Sequence, residues 1–447
     1  MYLDSRKPRR RDSPWRVLVL VVLIIGGLYV LHEQIEGASW TRPFDPTPTP
    51  TRSADSYFEE GELLYDEGLL DEAIVAYERA FAVDPEDNVA LYRLVRLMTF
   101  QGRAGEVLER YGPRLQDEEL GDARSLTGLC MALDWHALAN EPDLLPVYIE
   151  LGVVDEQETL ADDWFYSREL VYRDMVRAAQ RACEQALRLD PDLPEAHAYL
   201  AEALADRERF DEALAAAQAA VELNPNLPDT QRALAFVHEA QGEYEQAIVA
   251  YEAAIDAQPR LSFLHIALGS NYRAIGYGLQ LQGLWDEATP YFEQAVAAYE
   301  QAIELNPSDV RSYDEIGWTY GHYMGDDRDM KQRGVDYLEE ALRQDPNYAV
   351  VHRHLGQVYY DLRYYEEAIP AFEQALEIGD LPTTDAIWSH ILLGWSYYVL
   401  DRDDQGDEEA CTRALPQFKA AWDILEELPR RELGLEFQAL QGLEACE

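Results

Sequence analysis

The stretch AVVHRHLGQVYYDLRYYEEAIPAFEQALEIGD, residues 349–380, carries the pattern that decides the fold. Leu355, Gly356 and Tyr359 lie on a first helix, and Ala368, Phe372 and Ala375 lie on a second. Small residues let two helices approach closely, while large ones fill the gaps between turns. Outward from there, the same set recurs as Gly61, Gly68, Ala73, Tyr77 and Ala80 near the start and as Leu234, Gly242, Ala247, Tyr251 and Ala254 in the middle. Six times an Ala is followed five residues later by the Pro of an Asp-Pro, Asn-Pro or Gln-Pro pair: Ala80/Pro85, Ala186/Pro191, Ala220/Pro225, Ala254/Pro259, Ala302/Pro307 and Ala341/Pro346. The intervals from Pro191 to Pro225 and from Pro225 to Pro259 are each 34 residues, the period of a helix-turn-helix repeat.

On these residues the chain resembles the tetratricopeptide repeat family. The resemblance implies an all-α fold, a right-handed superhelix (an α-solenoid) of about nine helix-turn-helix units between Ser56 and Leu428. No unit can bury its apolar face alone, so stability comes from stacking neighbours. The expected organisation is a solenoid over 55–429, irregular at 88–189, with a capping helix over 430–447 in which Leu433, Leu435, Phe437, Leu440 and Leu443 are available for burial. Within the irregular part, Glu118 to Leu189 reads as a repeat split by an insertion over Asn140 to Leu160. The interval from Pro259 to Pro307 is 48 residues, and overlapping Ala-aromatic-Ala sets at Ala288/Phe292/Ala295 and Ala295/Tyr299/Ala302 predict a second helix lengthened by about two turns. The interval from Pro307 to Pro346 is 39.

The amino terminus reads as a basic cytoplasmic tail (1–14), a transmembrane helix (15–31) and a Pro/Thr-rich stalk (32–54). Arg6, Lys7, Arg9, Arg10, Arg11 and Arg16 precede an uncharged run from Val17 to Leu31, and a basic flank of this kind stays in the cytoplasm. The expectation is a single-pass cell-membrane protein with extracytoplasmic repeats; the competing reading is a cleaved signal peptide. The net charge is −48, which repels nucleic acid and anionic lipid. The acidity either keeps a long solenoid soluble or attracts basic partners.

Stacking restricts contacts to neighbouring units, which favours Cys130 with Cys183 and Cys411 with Cys446 as disulfides. The alternative is that all four are small buried residues, Cys183 occupying an aromatic slot between Ala179 and Ala186. Catalytic chemistry leaves no trace: there is no phosphate-cradling Gly loop, nucleophile elbow or HExxH, and the expectation is no enzyme, no cofactor and no metal. His352 and His354 are two apart and face different sides of a helix. Residues 401–409 match a calcium loop at Asp401, Asp403 and Gly406 but fail at Gln405 and Thr412, and read as a solvated insertion.

The resemblance further implies that first helices line the concave wall. The amino-terminal units offer Glu195, Ala198 and Glu202 there, whereas the carboxy-terminal units offer Phe263, Arg273, Arg311, Trp318, Arg353, Tyr360, Trp388, Trp395 and Tyr398. Large aromatics with Arg are what interface anchors are made of; the competing reading is that several of them pack against the next unit. The set that clamps a carboxy-terminal carboxylate in this family is absent. The expected function is a membrane-tethered scaffold that binds a protein or peptide partner, with a glycan- or peptide-binding module and a noncatalytic subunit of an envelope enzyme complex as alternatives.

Overall fold

A computed structural model describes residues 52–116, 122–137, 144–154, 168–325, 327–379, 381–405, 407–428 and 432–446. The chain divides into two units, Met1–Ser53 and Ala54–Glu447, and all of the described helices belong to the second. Among the described residues nine helix pairs stack in order. They are α1 (Ala54–Asp66) with α2 (Leu70–Val83), α3 (Asn88–Phe100) with α4 (Ala104–Leu115), and α5 (Ala123–Ala137) with α7 (Arg168–Leu189). Next come α8 (Pro194–Ala205) with α9 (Phe210–Leu223), α10 (Pro228–Ala240) with α11 (Tyr244–Ala257), and α12 (Ser262–Leu281) with α13 (Trp285–Leu305). The last are α14 (Val310–Trp318) with α15 (Arg328–Gln344), α16 (Ala349–Asp361) with α17 (Tyr365–Ile378), and α18 (Thr383–Gln405) with α19 (Asp407–Glu427). A short α6 (Leu145–Glu150) falls between α5 and α7, and α20 (Leu433–Ala445) follows the ninth pair.

The Ala-to-Pro beat has a local cause. In all six copies the N–H of the residue before Pro donates to the carbonyl of the Ala, as in Asp84 to Ala80 at 3.0 Å and Asn306 to Ala302 at 2.9 Å. Pro then ends the helix, since it has no N–H to give. Where that residue is Asp or Asn, its side chain also accepts the N–H two residues on, at Asp84, Asp190, Asn224, Asn306 and Asp345. This side-chain turn redirects the chain into the next first helix. The six Ala side chains are wholly buried, leaving room for nothing larger.

Within a pair, a glycine on the first helix receives an aromatic ring from the second. A Cβ at Gly61, Gly269, Gly276, Gly356 or Gly394 would lie 2.5 to 2.8 Å from the ring of Tyr77, Tyr299, Phe292, Phe372 or Phe418. Cys183 takes the aromatic slot of α7, and a disulfide to Cys130 of α5 stands where other pairs have a ring. A second disulfide, Cys411 to Cys446, ties α19 to α20.

Three expectations change. The 14 extra residues between Pro259 and Pro307 are shared: α12 has 20 residues where α10 has 13, and α13 has 21 where α11 has 14. Both helices therefore grow by two turns, not the second alone. Residues 401–405 are not an insertion loop but the end of α18, where Asp401 is buried and its carboxylate accepts from the Arg413 guanidinium. Charge-pairing inside a helix hairpin makes that acidic residue a packing element. Finally, among the described residues no helix is long and apolar enough to cross a membrane, which overturns the single-pass membrane localisation. The run 15–31 on which it rested, and the stalk up to 51, lie outside the described residues.

Candidate partner-binding wall

First helices pack on first helices of the following pair, α8 on α10, α14 on α16 and α16 on α18, and so form the inner wall. In the amino-terminal half this wall meets itself. Arg96 on α3 donates from Nε and Nη2 to both oxygens of Asp229 on α10, at 2.8 and 2.6 Å, and the Tyr199 hydroxyl donates to the same carboxylate. Phe100 of α3 lies 4.8 Å from Phe263 of α12, ring centre to ring centre, and receives the guanidinium of Arg96 at 4.7 Å. At the rim, Arg260 donates to the Glu67 carbonyl at 2.9 Å. Arg232 pairs with Glu202, which also accepts from the Trp135 indole at 3.0 Å.

The charges in this closed half are tuned by their surroundings. Burial alone would raise the Asp229 carboxyl, but the Arg96 guanidinium beside it wins and holds it at about 2. Glu202 goes the other way: burial raises it despite Arg232. Asp134 is buried with Oδ1 lacking a hydrogen bond, and burial, with Asp206 and Glu202 nearby, pushes its carboxyl well above the usual range. Burial and Glu202 lift Asp206 to about 7.

The carboxy-terminal wall is built differently. Trp318 stacks with the imidazoles of His322 and His354, 4.2 Å from each ring centre and nearly parallel to both, at 4° and 12°. A π-helical turn, Thr319–Tyr323, carries His322; single wide turns of this kind concentrate at functional sites. His354 is hydrogen-bonded through Nδ1 to Asp314 at 2.7 Å. The Arg353 guanidinium covers the Trp318 ring at 4.9 Å. Its side chain is only 8% exposed, its Nε is 3.4 Å from Asp385, and that Nε makes no hydrogen bond. Burial draws the guanidinium below its ordinary value against the pull of Asp385.

The expected anchors thus fall into distinct places. Phe263 belongs to the closed half, held on Phe100. Arg273 is paired with Glu315 beneath Tyr299 and Tyr323, and exposed Arg311 folds back on Asp309 of its own turn. Trp318 and Arg353 form the stacked cluster. Tyr360 and Tyr398 are half-buried, set edge-on against Tyr365 and Trp395. Trp388 and Trp395 pack partly into the core of the last pair, Trp395 against Phe418 at 5.2 Å. Among the described residues no group of three or more His, Cys, Asp or Glu is placed to hold a metal ion.

Three models of the tetratricopeptide repeat family match, at residues 167–228, at 349–379, and at 54–87, 233–261 and 291–309. The chain carries tetratricopeptide repeats. Repeats of this family generally mediate protein–protein interaction. This tetratricopeptide-repeat chain is similar in fold to a human IFIT1 dimer with m7Gppp-AAAA, at 14% identity over 88% of this chain and 90% of that one, with a TM-score of 0.51. It is also similar to TTC0263, a thermophilic TPR protein of Thermus thermophilus (19% identity, 45% and 99% covered, TM-score 0.38). A third is a tetratricopeptide repeat protein of Parabacteroides merdae (16% identity, 63% and 96% covered, TM-score 0.42). A comparison with curated proteins gives no match.

Sequence reasoning placed Arg353 and Trp318 on the wall but missed their histidine partners and the whole Arg96–Asp229 network. Two signals were present: Gly317 and Gly321, which flank the Trp318 turn, and the arginines at 93 and 96 within the otherwise largely apolar run 89–100.

Proposed function

We propose that this chain is a noncatalytic scaffold that holds a segment of a protein partner on the inner wall of its carboxy-terminal half, between α12 and α18. The observation that carries this reading is Arg353: a buried cation over Trp318 that is ion-paired with Asp385 at 3.4 Å but whose Nε makes no hydrogen bond. A buried donor that makes no hydrogen bond costs roughly 1–3 kcal/mol, and a carbonyl or carboxylate oxygen of the bound segment in hydrogen-bond geometry relieves that cost. The amino-terminal wall is closed instead by its own pairs, Arg96 with both oxygens of Asp229 and Arg232 with Glu202. The half-buried rings of Tyr360 and Tyr398 supply further contact area on α16 and α18. With a net charge of −48, the favoured partner surface is basic around the contacting segment.

Photo-crosslinking tests the reading. A benzoylphenylalanine at position 360 captures a defined protein, and the same group at Val249, an exposed position on α11, does not. Equal capture from both positions contradicts it. A glycan strand is the weaker alternative, because the Trp395 ring is engaged edge-on by Phe418 and Tyr398; titration with soluble oligosaccharides leaves the tryptophan fluorescence unchanged if a protein is the partner.

A further inference from the structure

The last helix, α20, has two apolar stripes on opposite sides. Leu435, Ala439 and Gly442 are buried against the ninth pair, with Gly442 close on Phe418. Residues two apart on a helix point roughly opposite ways, and two residues before Leu435 and two after begin a second stripe, Leu433, Phe437 and Leu440, which are 71%, 58% and 40% exposed. No other element covers it among the described residues.

The position of α20 explains what the stripe would fit. It packs on α19 and on α18, as α18 packs on α17 and α16, so it takes the place of a first helix against the ninth pair. The Cys411 to Cys446 bridge fixes it there, and a helix already held in place loses little freedom on binding. Charge selects the occupant. From Glu432 to Cys446 the sequence has three acidic residues and no basic one, and exposed Glu432 and Glu444 stand at the two ends of the stripe. A second copy would bring the same acidic ends and a body of charge −48, which repel.

We infer that the outer face of α20 is a second docking surface, which accepts a basic amphipathic helix of a partner protein in the place that a second helix takes in the other pairs. The occupant carries an apolar seam at helical spacing, flanked by Lys or Arg that meet Glu432 and Glu444.

The test uses the full chain and a synthetic Leu/Lys peptide of about five helical turns with its Leu residues on one face, beside an isomer of equal composition with the Leu residues scattered. The expected result is saturable binding of the one-faced peptide that Phe437→Ser or Leu440→Ser weakens by about tenfold or more. Leu63→Ser, at an apolar position of similar exposure on α1, leaves it unchanged, and thermal unfolding of all three variants matches the parent. Equal binding of the scattered isomer, or indifference to Phe437→Ser, overturns the inference and leaves general charge attraction. Light scattering that shows a dimer dissociated by Phe437→Ser overturns it in favour of a second copy.

Discussion

Arg96 and Asp229 stand 133 residues apart and are joined by two hydrogen bonds with both side chains nearly inaccessible. The pair fastens α3 to α10 across the inner wall, so the amino-terminal half is closed by its own side chains. Removing one member of such a pair strands the other as a buried charge, which costs about 3–5 kcal/mol. Arg96→Met is therefore expected to lower stability in urea by that amount. Arg96→Met with Asp229→Leu recovers a large part of the loss, because no charge is then left buried. A single mutant as stable as the parent contradicts the closure.

The same half responds to pH in two opposite ways. The Asp229 carboxyl is depressed to about 2, so its contribution is present above the usual carboxylate range and is lost as pH falls through roughly 4 to 2. Asp206 is raised to about 7, so the folded state keeps a proton that the unfolded chain has released. Its contribution falls as pH climbs from about 4 to 7 and is then constant. Asp206→Asn is expected to raise stability at pH 8 by on the order of 1–2 kcal/mol and to change it little at pH 4. Equal effects at both pH values contradict this assignment.

Each disulfide closes a loop, of sequence separation 53 for Cys130 to Cys183 and 35 for Cys411 to Cys446. Loops of that size stabilise by about 3–4 kcal/mol. Peptide mapping without reductant is expected to recover both linked pairs, and a thermal scan with reductant shows a lower midpoint. Four free thiols in protein that has not met reductant contradict the pairing.

Packing and binding residues separate by their cost to folding. Phe372 is wholly buried with its ring against Gly356, so Phe372→Ala is expected to lower stability by about 3–5 kcal/mol through the cavity it leaves. Tyr360→Ala, at a half-buried position, costs under about 1.5 kcal/mol. A denaturation midpoint for Tyr360→Ala as low as that of Phe372→Ala makes Tyr360 a packing residue.

The parts of this architecture that were legible in the sequence are those made by neighbours in the chain. The bond from the residue before Pro to the Ala carbonyl spans four residues, and it repeats wherever Ala and Pro repeat. The long sixth pair was half legible. The doubled aromatic set on α13 announced its length, but the matching signal on α12 was only two glycines seven apart, Gly269 and Gly276, which receive Tyr299 and Phe292. The contact of Arg96 with Asp229 left no local pattern, because the tight path of the intervening helices brings them together. Trp318 was legible from its type alone; His322 reaches it through a π-helical turn that no heptad or 34-residue spacing encodes.

The most direct test of the carboxy-terminal wall is the affinity of the strongest binder selected from a random-peptide library on the full chain, compared between the parent and Arg353→Met. Truncation of an anchor at the centre of an interface costs about 2 kcal/mol or more, close to thirtyfold in affinity. The expected result is a loss of that size with a urea midpoint that falls far less than for Phe372→Ala, since the Nε that is removed makes no hydrogen bond and its ion pair with Asp385 is long, at 3.4 Å. An unchanged affinity, or a loss that comes with a fall in stability like that of Phe372→Ala, would contradict the account.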